Sequence, residues 1–338
     1  MGDSQADGRA SYRHGFQEIS VPESATRNVH LKRVLGPPPP ESALALIATA
    51  RNERYFWPHF LQHYRRYGVE HFIVLDDNSN DGSLDWLRQQ SDVSVFVSAL
   101  SFADTVGKLR FGIAARGLMA RHFCAGRWAL IADLDEFWLP PPQFTSFSQL
   151  TTSLDAQSHI LCRGIMLDCF PETLSTLDHQ AVNTPPNIVA PFTDVLSPLN
   201  WPANLATAAL NSRHNVRNRM SATLHNRGLM SREDLRQRGD PTLYKAPLAR
   251  WVEGVAQLSA HRLQAPYHDQ HQMICGHYKF YPGWQEKVRG ALATGSYYNS
   301  SIEYRMLDLA QQHMANDSLK GARSVAFKTL SQSPVWTF

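Results

Sequence analysis

Apolar residues in the first half of the chain follow two alternating patterns. Leu44-Ala45-Leu46-Ile47-Ala48, Phe72-Ile73-Val74-Leu75, Val93-Ser94-Val95-Phe96-Val97 and Trp128-Ala129-Leu130-Ile131-Ala132 are short, nearly continuous apolar runs, as buried strands require. Between them the period lengthens. Phe56, Phe60, Tyr64 and Tyr67 recur at three-to-four-residue spacing over residues 55–67, which predicts an amphipathic helix. Residues 83–89 predict a short second helix and residues 110–123 a long third one. Strands alternating with helices at this rhythm predict an α/β fold on a mostly parallel, Rossmann-like sheet covered on both faces. Right-handed crossovers then bring the C-terminal strand ends to one edge, where such sheets bind ligands.

The rest of the chain is patterned less regularly. Residues 1–40 are polar and end in Gly36-Pro37-Pro38-Pro39-Pro40, which predicts a flexible lead-in, or a loosely docked arm, and an extended proline linker. Ile160–Leu167 predicts a further strand. Residues 171–245, rich in proline, asparagine and arginine, read as long loops with short elements. From Trp284 a helical tail is expected, interrupted at Tyr297-Tyr298-Asn299. The expected organisation is an arm over 1–40, one domain over 41–285 and a helical tail over 286–338.

Charge and composition narrow the chemistry. Lys plus Arg number 33 against 30 Asp plus Glu, a balance that argues against a nucleic-acid partner, whose phosphates call for a basic excess. A small anionic ligand remains compatible with it. Cys124, Cys162, Cys169 and Cys275 form no C-x-x-C pair and read as free, partly buried thiols in a reducing compartment. No apolar run reaches the roughly 18 residues a membrane span needs, and Met1-Gly2-Asp3-Ser4 lacks the order of a signal peptide. A soluble, cytoplasmic protein without a transmembrane segment is expected, one still compatible with peripheral association at a membrane surface.

The acidic residues fall where the strands end. Asp76-Asp77-Asn78-Ser79-Asn80-Asp81-Gly82 follows the second strand and Asp133-Leu134-Asp135-Glu136 the fourth. Asp81-Gly82 is equally explained as turn chemistry. Two carboxylates directly after an apolar strand repel unless a cation or donor lies between them. In a strand-like D-x-D, Asp133 and Asp135 point the same way and can converge on one hard cation, Mn²⁺ or Mg²⁺, while Glu136 points to the opposite side as a structural residue.

The succession Ala50-Arg51-Asn52-Glu53, His63-Tyr64, Gly68, Leu75 to Gly82 and Trp128 to Asp135-Glu136-Phe137 resembles a family 2-type glycosyltransferase of the GT-A fold, the branch with an RNE first-strand motif and a DxDEF metal motif. The likeness covers residues 43–142, continues sparsely through Met166-Leu167-Asp168, Lys245 to Leu248 and Ser259-Ala260-His261, and resumes at His277-Tyr278-Lys279-Phe280. It implies a nucleotide-sugar half over 41–142 and an acceptor half over 143–285. It further implies a UDP- or GDP-sugar donor, a glycan, lipid-linked or protein acceptor, and inversion at the anomeric carbon. Thr49, Asn52 and Glu53 would hold the nucleotide base, and Asp76 and Asp77 base and ribose. Asp135 would bind the metal directly, with Asp133 supporting it and His277 added from a late segment. Lys108, Arg110 and Lys279 would contact the diphosphate.

An inverting transferase also needs a carboxylate to take the acceptor proton. Asp168 is expected in that role, because it follows an apolar strand and should reach the ligand edge. Asp234 reads instead as a first-turn helix carboxylate, and Asp269 is a third candidate. His268-x-x-His271 lacks a partner that would complete a zinc spacing and reads as a solvated loop. His261 is expected at the acceptor pocket, and Arg213, Arg217 and Arg219 as a cluster that solubilises a loop or grips an anionic acceptor. Two other readings stay open. A nucleotidyltransferase would show a glycine-rich phosphate loop where Ala50-Arg51-Asn52-Glu53 stands, and a catalytically silent nucleotide-sugar-binding module would keep the same fold.

Overall fold

The structure, a computed structural model, describes residues 18–21, 29–194, 215–240, 242–266, 272–295 and 298–328. Its first half runs β1 (Glu18–Val21), β2 (Val29–Leu35), β3 (Ala45–Ala50), α1 (Trp57–Arg66), β4 (His71–Asp76), α2 (Ser83–Leu87) and β5 (Val93–Val97). A hairpin of β6 (Thr105–Val106) and β7 (Leu109–Arg110) leads into α3 (Phe111–Phe123), β8 (Trp128–Ile131), β9 (Glu136–Leu139), α4 (Phe147–Ala156) and β10 (Leu161–Phe170). Then come α5 (Pro186–Val189), β11 (Phe192–Asp194), α6 (Val216–Asn226), α7 (Arg232–Arg238) and β12 (Tyr244–Arg250). A second hairpin, β13 (Ala256–Gln257) and β14 (Leu263–Gln264), precedes β15 (Gln272–His277), α8 (Trp284–Thr294), α9 (Tyr298–Met314) and β16 (Ser324–Ala326).

The four apolar runs form the centre of the sheet, where β5, β4, β3 and β8 lie side by side and parallel. Their alternation sorts side chains onto two faces. Leu46, Ala48, Phe72, Val74 and Leu130 join one core with Phe60 and Tyr64 of α1. Ala45, Ile47, Ile73, Leu75 and Ile131 join a second core with Phe111, Ala115 and Met119 of α3. Both faces are therefore covered, as buried parallel strands require.

The sheet as a whole is mixed, which corrects the expectation of a mostly parallel one. β2 pairs antiparallel with β5 and β1 with β2, while β12 lies antiparallel to β8 and β10 to β12. Beyond these, β15 runs parallel to β10, and β9 antiparallel to β15. Among β3, β4, β5 and β8 the parallel order follows from the helical crossovers α1, α2 and α3, which return the chain to the same end of the sheet.

Three boundaries also differ from expectation. Residues 29–35 are no flexible lead-in: they form β2, with Val29 and Leu31 buried. The proline run is tied down as well, since the Ser94 hydroxyl donates to the Pro37 carbonyl and itself bonds His71 Nε2 at 2.7 Å. The described residues between 171 and 245 carry short elements joined by loops, as expected, the longest being α6. The described part of the expected tail is helical, as α8 and α9, but it is packed onto the domain: Met306, Leu307, Ala310 and Met314 are part of the larger core and β16 pairs with β11. Among the described residues no helix is long and apolar enough to cross a membrane. All four cysteines are free and buried.

Candidate functional site

The D-x-D segment is a turn. β8 ends at Ile131, and the Glu136 N–H donates to the Asp133 carbonyl at 3.0 Å. In a turn the strand alternation is lost, so the two aspartates take different partners instead of converging. Asp133 accepts from Arg116 of α3 and from Lys245 of β12, the latter at 3.0 Å. Burial pushes its carboxyl up, but Arg116 and Lys245 outweigh that and hold it well below the usual range. Lys245 also reaches both oxygens of Glu136 at 2.7 and 2.8 Å. Glu136 does not point to the opposite side as expected but turns back toward Asp133 through the shared ammonium.

Asp135 faces the other way. Its Oδ2 lies 3.6 Å from His277 Nε2 and 3.6 Å from Lys279 Nζ. Despite burial, Lys279 and His277 hold this carboxyl far below the usual range. The sheet register makes the meeting possible. His277, the last residue of β15, is paired across the sheet with Asp168 of β10 on one side and Glu136 of β9 on the other.

Asp168 is buried behind His277. Its two oxygens take Arg217 Nε at 2.7 Å, Arg217 Nη2 at 3.1 Å, Asn215 Nδ2 at 3.1 Å and His277 Nδ1 at 2.6 Å. Four donors fill the capacity of one carboxylate. Burial raises its pKa, Arg217 and His277 more than offset that, and the carboxyl is held far below its usual value. Asp168 therefore has no lone pair left for an acceptor proton, and the geometry gives it the task of fixing the tautomer and direction of His277. Burial and Lys279 pull the imidazole pKa down, but the Asp135 and Asp168 carboxylates outweigh them and raise it. Arg217 is a buried partner of Asp168 and of Glu303 (3.1 Å), not a solubilising charge.

Of these groups Asp133, Asp135, Glu136, Arg217 and His277 line a cleft of about 340 Å³ together with Thr49, Arg51, Glu53, Phe102, Arg116, His261, Lys279, Lys287 and Tyr304, while Asp168, Asn215 and Lys245 are not part of its lining. Thr49 Oγ1 accepts from Arg116 Nε at 3.0 Å and Nη2 at 2.6 Å. Glu53 Oε1 accepts from Lys287 Nζ at 2.6 Å. Three buried atoms of the lining have no protein partner: Glu53 Oε2, Arg116 Nη1 and His261 Nδ1. Burial first, and Lys245 second, pull His261 down to about 4, so it is neutral.

The cleft unites Thr49, Glu53, Asp133, Asp135, His277 and Lys279 of the sequence candidates, with His261 beside them. Arg217 lines it as well, whereas Asp168 and the remaining candidates do not. Asn52 is left-handed, with φ 55°, and knits two loops by accepting from Asn80 N at 2.8 Å. Asp76 accepts from Ser79 N at 3.0 Å, and Asp77 meets Arg51 at 3.4 Å. Lys108 and Arg110 belong to the β6–β7 hairpin, outside the lining. Asp234 caps α7 in a reciprocal bond with Ser231. Arg213, His268, Asp269 and His271 lie outside the described residues.

Arg116, Lys245, Lys287 and Tyr304 were not singled out by sequence reasoning. Arg116 carried one signal, a lone charge within the otherwise small and apolar run Ala114-Ala115-Arg116-Gly117-Leu118 of α3.

The donor set bears on a metal. Among the described residues no group of three or more His, Cys, Asp or Glu side chains gathers as a cage. Asp133 carries Arg116 on one oxygen and Lys245 on the other. Asp135 Oδ2 and His277 Nε2, whose ring is fixed by Asp168 on the far nitrogen, do fit a two-residue site of the kind that substrate phosphates and water complete. No family model matches the sequence, and no curated protein matches it.

Proposed function

We propose that the chain is a metal-dependent glycosyltransferase of GT-A type. It moves a sugar from a UDP- or GDP-sugar to a hydroxyl of a glycan, lipid-linked or protein acceptor, with inversion. One observation carries the reading: Asp135 Oδ2 and His277 Nε2 face each other across 3.6 Å in a cleft beside the parallel strand ends. The unpartnered Arg116 Nη1 supports it, because a buried guanidinium N–H without an acceptor suits a phosphate or ribose oxygen.

In this reading Asp135 and His277 would hold Mn²⁺ or Mg²⁺, which supplies charge to the diphosphate when bound. Lys279 and Arg116 add fixed positive charge to the leaving diphosphate, placed before the reaction and shielded from water. Thr49 and Arg51 border the nucleotide side. Asp168 and Arg217 keep His277 in one orientation.

A thermal-shift screen of nucleoside diphosphates and nucleotide sugars, with and without Mn²⁺, tests this. Stabilisation that requires the metal and disappears in Asp135→Ala is expected. A folded protein indifferent to every nucleotide would refute the proposal. Release of nucleoside diphosphate from the bound donor separates an enzyme from a silent binding module.

A further inference from the structure

With Asp168 saturated, the cleft still needs a group to accept a proton. Asp133 is held by Arg116 and Lys245, Asp135 by His277 and Lys279, and Glu136 by Lys245. Glu53 differs from all of them. Lys287 grips Oε1 at 2.6 Å, and Oε2 is buried, unpartnered and part of the cleft wall.

Glu53 also stands beside a second opening. A larger chamber of about 1070 Å³ adjoins the cleft and shares Arg51 and Lys287 with it as common wall. Tyr55 and Tyr281 stack in that chamber, centroids 4.9 Å apart and planes 18° from parallel, among the amides of Asn52, Asn80 and Asn183. Flat aromatic surface flanked by amides suits a hydroxyl-rich molecule such as a sugar chain.

Resting on the glycosyltransferase reading, we infer that Glu53 is the general base, and that it takes the proton of an acceptor hydroxyl arriving through the Tyr55–Tyr281 chamber. The acceptor O–H bond breaks and its proton passes to Glu53 Oε2. The acceptor oxygen forms the new bond to the anomeric carbon, and the old carbon–oxygen bond breaks with its electron pair leaving on the diphosphate. Glu53 afterwards releases the proton to solvent. Lys287 orients the carboxylate by occupying Oε1. Burial pushes the Glu53 carboxyl up against the pull of Lys287, a direction that favours proton uptake. This differs from the role that the family resemblance gives Glu53, a contact to the nucleotide base.

The test compares wild type, Glu53→Gln and the double variant Glu53→Gln/Lys287→Met, all as the full chain with Mn²⁺. Calorimetry reads UDP and GDP binding, and nucleoside diphosphate release reads turnover of UDP- and GDP-sugars to water or to supplied oligosaccharides. Expected is nucleotide binding within about 3-fold of wild type in both variants, with turnover down about 10²–10⁴-fold, the usual range for a lost general base. The double variant removes the uncompensated Lys287 charge, so a base stays lost there while a merely electrostatic partner recovers. Turnover within 10-fold of wild type in either variant would overturn the assignment. So would loss of nucleotide binding in Glu53→Gln, which would return Glu53 to the donor site. A wild type that binds nucleotide sugar yet turns it over to neither water nor oligosaccharide also contradicts it, since no proton transfer is then left for Glu53 to perform. A wild type that binds no nucleotide refutes the glycosyltransferase reading itself.

Discussion

Arg217 holds Asp168 through two nitrogens, and Asp168 holds His277, so one guanidinium sets the direction in which the imidazole points. All three side chains are buried. Breaking a buried pair from one side leaves a charge without compensation, at about 3–5 kcal/mol. Arg217→Met is therefore expected to lower unfolding free energy by about that amount, read from urea denaturation. Arg217→Lys should recover only part of it, because an ammonium cannot supply the two-pronged contact. Asp168→Asn keeps the shape but weakens the hold on Nδ1. Metal-dependent nucleotide binding should fall about 10–100-fold while the fold is kept, as for other groups that orient a metal-binding histidine. Binding unchanged from wild type would show that His277 needs no such support.

At the scale of elements, the parts of the fold built from continuous apolar runs were legible. β3, β4, β5 and β8 and helices α1 and α3 fall within a few residues of where periodicity puts them. β2 was not, because its signal is a brief alternation of Val29 and Leu31 with exposed His30 and Lys32, directly before a proline run that suggests a spacer. Gly36 shows why the spacer reading fails there. Its φ is +76°, and a Cβ at this position would collide with the Val93 carbonyl. Gly36→Ala should destabilise the protein by about 3 kcal/mol, combining left-handed strain with overpacking, measurable by chemical denaturation. The carboxylates of the site were legible as residues but not as partners. Nothing local in Asp133-Leu134-Asp135 announces that Arg116 and Lys245, far away in sequence, claim the first aspartate. Asp168 looked like a base because an apolar strand delivers it to the ligand edge. Its saturation depends on Asn215 and Arg217, which a sequence pattern does not bring near.

Among the described residues a large mixed sheet, flanked by two small hairpins, carries the site, and residues from the last third of the chain, among them Lys279, Lys287 and Tyr304, seal one of its walls. Burying so many titratable groups makes stability depend on pH. His63 is half-buried, donates to the Trp138 carbonyl at 2.8 Å, and is pulled down by desolvation to about 4. Its folded pKa lies below the unfolded one of about 6.5, so the unfolded chain binds the extra proton. The stability His63 contributes is complete above about pH 6.5 and declines as pH falls toward 4, by up to about 1.4 kcal/mol per pH unit. Asp168, with a depressed folded pKa, acts in the same direction at still lower pH. Unfolding free energy measured between pH 7 and 4.5 should fall, and the slope should flatten in His63→Gln; an unchanged slope would show that other groups carry it.

The central claim is that Asp135 and His277 together hold the metal that a nucleotide-sugar donor needs. Anomalous diffraction from crystals grown with Mn²⁺ and UDP or GDP addresses it most directly. Expected is one manganese peak bonded to Asp135 Oδ2, His277 Nε2 and the diphosphate, with Asp133 still paired to Arg116 and Lys245. A peak on Asp133, or nucleotide bound away from both Asp135 and His277, would contradict it.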